Sequence, residues 1–154
     1  MILQEKQFEI QNEEQMRELG RGIGALLTAG NVVCLTGDLG AGKTTLTKSI
    51  AEGLGIDEYV TSPSYTIVNE YMGRLPLYHF DVYRINEVEE MYELGYEEYF
   101  FSEGVCVIEW AGMVEELLPE ERIWIEIYQG ETFDKRKLII KAKAEVLQKL
   151  EALI

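Results

Sequence analysis

The chain has 154 residues, 47% of them hydrophobic and 10% aromatic, which is the size and composition of one ordinary domain around one core. Its 28 Asp and Glu stand against 14 Lys and Arg, giving a net charge of -14 and a pI near 4.5. That field repels the nucleic-acid backbone and anionic lipid alike, which weighs against autonomous nucleic-acid binding, and no apolar run approaches the roughly 20 residues that span a bilayer, which excludes membrane insertion.

The first ten residues, MILQEKQFEI, carry charges where a signal peptide needs a continuous apolar stretch. An unprocessed, cytoplasmic chain is expected. With no internal repeat, no low-complexity tract and 3 prolines, residues 1–154 read as a single unit. QFEI is a short strand, and Asn12 followed by Gln15 caps a helix whose Met16, Leu19, Ile23 and Leu26 recur at spacings of three and four. Gly30 is its expected stop. Residues 32–35 are uniformly apolar, as in a strand covered on both faces. A glycine-rich turn and a helix over 43–53 follow.

Beyond Gly55 the pattern changes to YTIVNEY and LPLYHFDVY separated by MGR, which predicts a hairpin or mixed-sheet insertion. Residues 87–94 read as helix, 105–108 as a second uninterrupted apolar strand, and 113–118 as a short helix ended by Pro119. Strands over 123–128 and 137–140 and a helix over 144–153 complete an α/β layer fold with a mostly parallel sheet. Cys34 and Cys106 each lie inside an apolar strand and read as inert core thiols; the single histidine, His79, cannot build a multi-histidine metal site.

Residues 37–44, GDLGAGKT, match G-x-x-x-x-G-K-[ST] at every fixed position, directly after a buried strand and directly before a helix. In such a loop Gly37, Gly40 and Gly42 let the backbone of Gly37, Asp38, Leu39, Gly40, Ala41 and Gly42 wrap a phosphate, with the partial positive charge of the helix N-terminus behind it. Lys43 supplies a full charge to the β- and γ-phosphates, Thr44 a hydroxyl for Mg²⁺, and Thr45 a contact to the α-phosphate. A nucleoside triphosphate with Mg²⁺ is the implied ligand.

Such a loop needs a carboxylate at the end of a neighbouring strand. Asp81 closes LYHFD and Glu109 closes VCVIE. The second run is apolar throughout, as a central parallel strand should be, whereas LYHFD carries His79 beside hairpin signals, so Glu109 is assigned to the metal. Asp81 is then a water-positioning acid, a solvated turn aspartate, or a partner for Arg84. With no Asn/Thr-Lys-x-Asp guanine-reading sequence downstream, adenine is favoured. Three activities fit the loop: an ATPase acting on a protein partner, a small-molecule kinase, and a nucleotide-gated binding module. The absence of Lys and Arg between residues 85 and 121 weighs against a kinase, which brings arginines to the transferred phosphoryl group.

GDLGAGKTT, TSPSYTIVNEY, LYHFDVYR, ELGYEEYF, VIEWA and LPEERI, in this order over nearly the whole chain, resemble TsaE (formerly YjeE), the bacterial ATPase family of tRNA threonylcarbamoyladenosine biosynthesis. The resemblance implies a single-domain P-loop NTPase fold that binds ATP and Mg²⁺ and hydrolyses ATP weakly alone. It also implies a TsaB–TsaD partner complex that carries the modification to tRNA, so that tRNA is met only through partners. In that scheme ATP turnover resets the transferase between cycles.

Carried over residue by residue, Lys43 is the phosphate clamp, Thr44 and Glu109 the metal pair, and Asp81 an acid needed for hydrolysis. Ser62, Pro63 and Ser64 resemble a switch segment near the γ-phosphate, with Ser64 in place of the usual threonine, and Arg136 a position near the adenine. On the residues alone Arg136 also reads as a surface arginine entering a strand, and Trp110, from the family's Glu-Trp pair, as core or as a functional ring at the strand's exit.

Between residues 85 and 121 lie twelve acids and no base, interleaved with Met91, Tyr92, Leu94, Tyr96, Tyr99, Phe100 and Phe101. Either the rings cover the core, or the segment is an acidic, aromatic face steered to a basic partner.

Overall fold

The computed structural model describes residues 3–38, 40–61, 63 and 67–153. Its strands are β1 (Gln4–Ile10), β2 (Val32–Gly37), β3 (Val68–Met72), β4 (Pro76–Asp81), β5 (Val105–Glu109), β6 (Ile123–Gln129) and β7 (Arg136–Ala142). They form one seven-stranded sheet in the order β1-β7-β6-β2-β5-β4-β3. β6, β2, β5 and β4 are parallel and make the centre, while β1, β7 and β3 pair antiparallel at the two edges. This is the α/β fold with a parallel centre and mixed edges that the strand and helix alternation predicts.

The helices are α1 (Glu13–Leu26), α2 (Lys43–Gly53), α3 (Glu89–Leu94), α4 (Tyr96–Phe100) and α5 (Ala144–Glu151), with a 3₁₀ segment over Ala111–Leu117. Strand period two sends Val33, Leu35, Leu77, Val105 and Val107 to one face, against Leu19 and Ile23 of α1, Leu46 and Ile50 of α2 and Leu147 of α5. Cys34, Phe80, Cys106 and Ile108 face the other side, against Met91 of α3, Phe100 of α4 and Val114. Both cysteines are free and buried, and burial pushes each thiol up to about 12, so they are inert at neutral pH.

Several boundaries differ from expectation. α1 ends at Leu26 because Leu27 turns extended (ψ 143°); Gly30, expected to stop the helix, sits in the following turn at φ 87°. Asn12 does cap α1, accepting the Gln15 N–H at 2.8 Å, and Gln15 Oε1 in return accepts the Gln11 N–H at 2.7 Å. The segment expected as a helix at 113–118 is the 3₁₀ segment, which starts two residues earlier. The expected hairpin or mixed-sheet insertion is present: LYHFD pairs antiparallel with β3 on one side and parallel with β5 on the other. It is therefore interior to the sheet.

α2 is fixed by unusually close packing on α1. A Cβ at Gly24 would fall 2.2 Å from the Ile50 carbonyl oxygen, and one at Gly20 would fall 2.4 Å from Ser49 Cβ. These glycines set the position of the α2 N-terminus relative to the sheet. Among the described residues no helix is long and apolar enough to cross a membrane.

Candidate functional site

The loop between β2 and α2 lies at the carboxyl end of the parallel strands, the end at which open α/β sheets take ligands. Gly37 leaves β2 at φ 149°, and a Cβ there would meet the Ile127 carbonyl oxygen at 2.7 Å. Gly42, at φ 118°, is the N-cap of α2 with no side-chain cap bond, so the first-turn amides are left for a ligand. Leu39 lies outside the described residues, as do Ser62 and Ser64 of the expected switch segment; Pro63 is half-buried.

Lys43 opens α2 and is buried. Its Nζ donates to the carbonyl oxygens of Gly37 (2.5 Å) and Asp38 (2.9 Å) and stands 4.0 Å from the centre of the Trp110 ring. Burial pulls its pKa below the ordinary lysine value, against the opposing pull of Glu109, Asp38 and Asp81. The ammonium thus has its own loop as partner, in a setting that favours a bound anion.

Asp81 and Glu109 face each other in register at the ends of β4 and β5, on the face that carries α2. Glu109 is 2% exposed. The Thr44 hydroxyl lies 3.3 Å from its Oε1, the Thr47 hydroxyl 3.4 Å from its Oε2, and His79 Nε2 2.5 Å from the same Oε2. Asp81 is half-buried, and its side chain accepts the Tyr83 N–H at 3.1 Å, with no ion pair to Arg84. Burial holds its carboxyl above the usual aspartate range; the Tyr83 bond opposes this and the Glu109 charge adds to it.

Trp110, directly after Glu109, is the one non-glycine with positive φ among the described residues, at 63°. That conformation is costly for a bulky side chain and recurs at functional sites. The turn lays the indole over Lys43 and against Tyr83, with the ring centres of Trp110 and Tyr83 4.7 Å apart.

A cleft of about 320 Å³ is lined by Gly40, Gly42, Lys43, Thr44, Thr45, Asp81, Tyr83, Glu109 and Trp110. A second, of about 200 Å³, shares Gly40, Gly42 and Thr45 with it and continues to Asn12, Met16, Phe133 and Arg136. Arg136 opens β7 and is half-buried. Its Nε donates to Ala41 O at 2.8 Å and its Nη1 to Phe133 O at 2.6 Å, so it ties the loop between β2 and α2 to the β6–β7 turn. Among the described residues no group of three or more His, Cys, Asp or Glu could hold a metal without other donors. A cation here would need oxygens from a ligand as well as from Thr44 and Glu109.

Sequence reasoning missed His79 and Thr47, both fully buried partners of Glu109. A polar residue interrupting an otherwise apolar strand was the signal for His79; Thr47 follows Thr44 by three positions on α2, which puts both hydroxyls on one helix face.

The family model described as "Threonylcarbamoyl adenosine biosynthesis protein TsaE" matches residues 10–138. The tRNA threonylcarbamoyladenosine biosynthesis protein TsaE of Bacillus subtilis is 48% identical over 132 residues, 85% of this chain and 82% of that one. The protein of the same name from Treponema pallidum is 47% identical over 108 residues, 70% of this chain and 80% of its own length. The crystal structure of Bacillus subtilis YdiB superposes with a TM-score of 0.80 at 39% identity, covering 99% of this chain and 96% of that one. With a match to the family model over most of its length and relatives of this identity, the chain belongs to the TsaE family.

Proposed function

We propose that this chain is an ATP-binding and ATP-hydrolysing component of tRNA threonylcarbamoyladenosine biosynthesis that works with Mg²⁺ on a TsaB–TsaD type protein complex. Its family and the names of its relatives support the pathway. The ATPase assignment is carried by one juxtaposition: Lys43, Thr44 and Glu109 converge on the cleft beneath the phosphate loop, with Asp81 across from Glu109.

In this reading Gly37, Asp38, Leu39, Gly40, Ala41, Gly42, Thr44 and Thr45 surround the phosphates, and Lys43 exchanges its bonds to Gly37 and Asp38 for phosphate oxygens. Arg136 keeps the loop in shape and borders the cleft that continues toward the base. Thr44 and Glu109 offer two hard oxygens within 3.3 Å of each other, a donor set that suits Mg²⁺, which would neutralise charge on the β- and γ-phosphates. Asp81 orients the attacking water and accepts its proton; the raised pKa makes it the stronger base. Water adds to the γ-phosphorus, the bond to the β–γ bridging oxygen breaks, and ADP and phosphate leave. By the family resemblance, Ser62, Pro63 and Ser64 would be the segment that responds to the γ-phosphate.

A net charge of -14 leaves the isolated chain without appreciable affinity for tRNA at physiological salt, and any RNA contact runs through the cytoplasmic partner complex. The test is phosphate release from ATP by the chain alone, with candidate small-molecule acceptors, and with TsaB and TsaD. Stimulation by the protein pair supports the proposal. Release that waits for a small acceptor identifies a kinase, and a response to neither identifies a binding module.

A further inference from the structure

We propose that His79 is a positioning residue for Glu109: it anchors one oxygen of the carboxylate so that the other is presented to Thr44 and the metal. The inference rests on the reading of Glu109 as the metal-holding acid. His79 sits two residues before Asp81 on β4, on the α2 face of the sheet, and is fully buried. Leu77, Val105 and Val107 occupy the same layer, where a leucine or phenylalanine would pack with no polar group to satisfy. Among the described residues the imidazole makes one polar contact, Nε2 to Glu109 Oε2 at 2.5 Å, and its Nδ1 has no partner. A buried N–H without an acceptor costs more than a bare lone pair, so the ring proton belongs on Nε2, where it is donated to Oε2.

The carboxylate is therefore used asymmetrically. Oε2 is held from inside by His79, with the Thr47 hydroxyl, which donates to the Lys43 carbonyl at 2.9 Å, standing 3.4 Å away, and Oε1 is turned to the Thr44 hydroxyl on the cleft side. Outer partners of this kind fix the orientation of a metal-holding carboxylate, and their loss lowers metal affinity by roughly 10- to 100-fold.

The experiment is calorimetric titration of ATP, with Mg²⁺ and with EDTA, on the wild type and on His79→Leu, His79→Gln and Glu109→Gln. The gain in ATP affinity on adding Mg²⁺ is the readout. His79→Leu should lose about tenfold of that gain while keeping its Mg²⁺-free affinity, and His79→Gln, whose amide nitrogen falls near the imidazole Nε2, should restore most of it. Should the leucine variant not fold, His79→Asn, whose shorter amide falls short of Oε2, replaces it. A His79→Leu protein with lowered Tm and an intact Mg²⁺ gain, or a His79→Gln protein as impaired as the leucine variant, overturns the proposal. If Glu109→Gln keeps the Mg²⁺ gain, the metal assignment itself falls and the positioning role with it. If Glu109→Gln loses the gain and His79→Leu does not, only the role of His79 falls.

Discussion

Two carboxylates end neighbouring parallel strands in the same register, and their surroundings differ. Glu109 is buried and has a threonine of α2 or a histidine of β4 against each oxygen. Asp81 is half-buried, accepts one backbone N–H, and is held above its usual pKa by burial. A carboxylate with fixed oxygens suits a cation; one kept reluctant to ionise suits proton transfer. The difference comes from neighbours rather than residue type, since either acid could serve either role in another setting.

Both proposed roles presuppose a triphosphate in the loop, so the variant with the largest expected effect is Lys43→Ala. Removing the buried ammonium while leaving the backbone cradle should weaken ATP binding by roughly 10- to 100-fold in calorimetry, the scale of one or two charge-assisted hydrogen bonds. Unchanged affinity would remove the loop, and with it the meaning of the comparison between the two acids.

A smaller effect separates this end of the sheet from the α3–α4 segment. There the aromatic rings divide: Phe100 is buried and Tyr99 contacts both Tyr78 and Phe80, whereas Tyr92 and Phe101 are 54% and 71% exposed. Core cover and free surface thus coexist among residues that read alike. Reversing Glu97 and Glu98 to Lys should slow association with a basic partner by a few-fold at low salt, less at high salt, and leave ATP affinity intact. Unchanged association with lowered stability would make the segment purely structural.

The smallest effect tests the cost placed on Asp81. Because its folded-state pKa lies above the unfolded one, the folded chain binds that proton more tightly, and stability is lost as pH rises through the folded pKa. Asp81→Asn keeps an oxygen for the Tyr83 N–H but cannot ionise, so its Tm should exceed that of the wild type slightly at pH 7, with the difference vanishing below the usual aspartate range. An equal or lower Tm at pH 7 would mean that Asp81 sits at no cost.

What was legible in the sequence follows how local each signal is. The loop, β2 and α2 are contiguous, and a continuous apolar run, glycines at fixed spacing and a helix start state their structure outright. β4 was harder, because His79 breaks the apolar run that marks an interior strand, and its partner Glu109 lies thirty positions away. The bond from Arg136 to Ala41 closes across ninety-five positions, beyond anything spacing can show. The end of α1 was misplaced for another reason: Leu27 leaves helical geometry without a glycine, and its side chain stays buried.

The division of labour between the two acids is tested most directly by measuring Mg²⁺-dependent ATP affinity and phosphate release on Glu109→Gln and Asp81→Asn side by side. The account predicts that Glu109→Gln loses most of the affinity gained from Mg²⁺, whereas Asp81→Asn keeps that gain and hydrolyses ATP about 100-fold more slowly, the scale of a lost general base. If instead Asp81→Asn loses the Mg²⁺ gain and Glu109→Gln keeps it, the two roles are exchanged and the account is wrong.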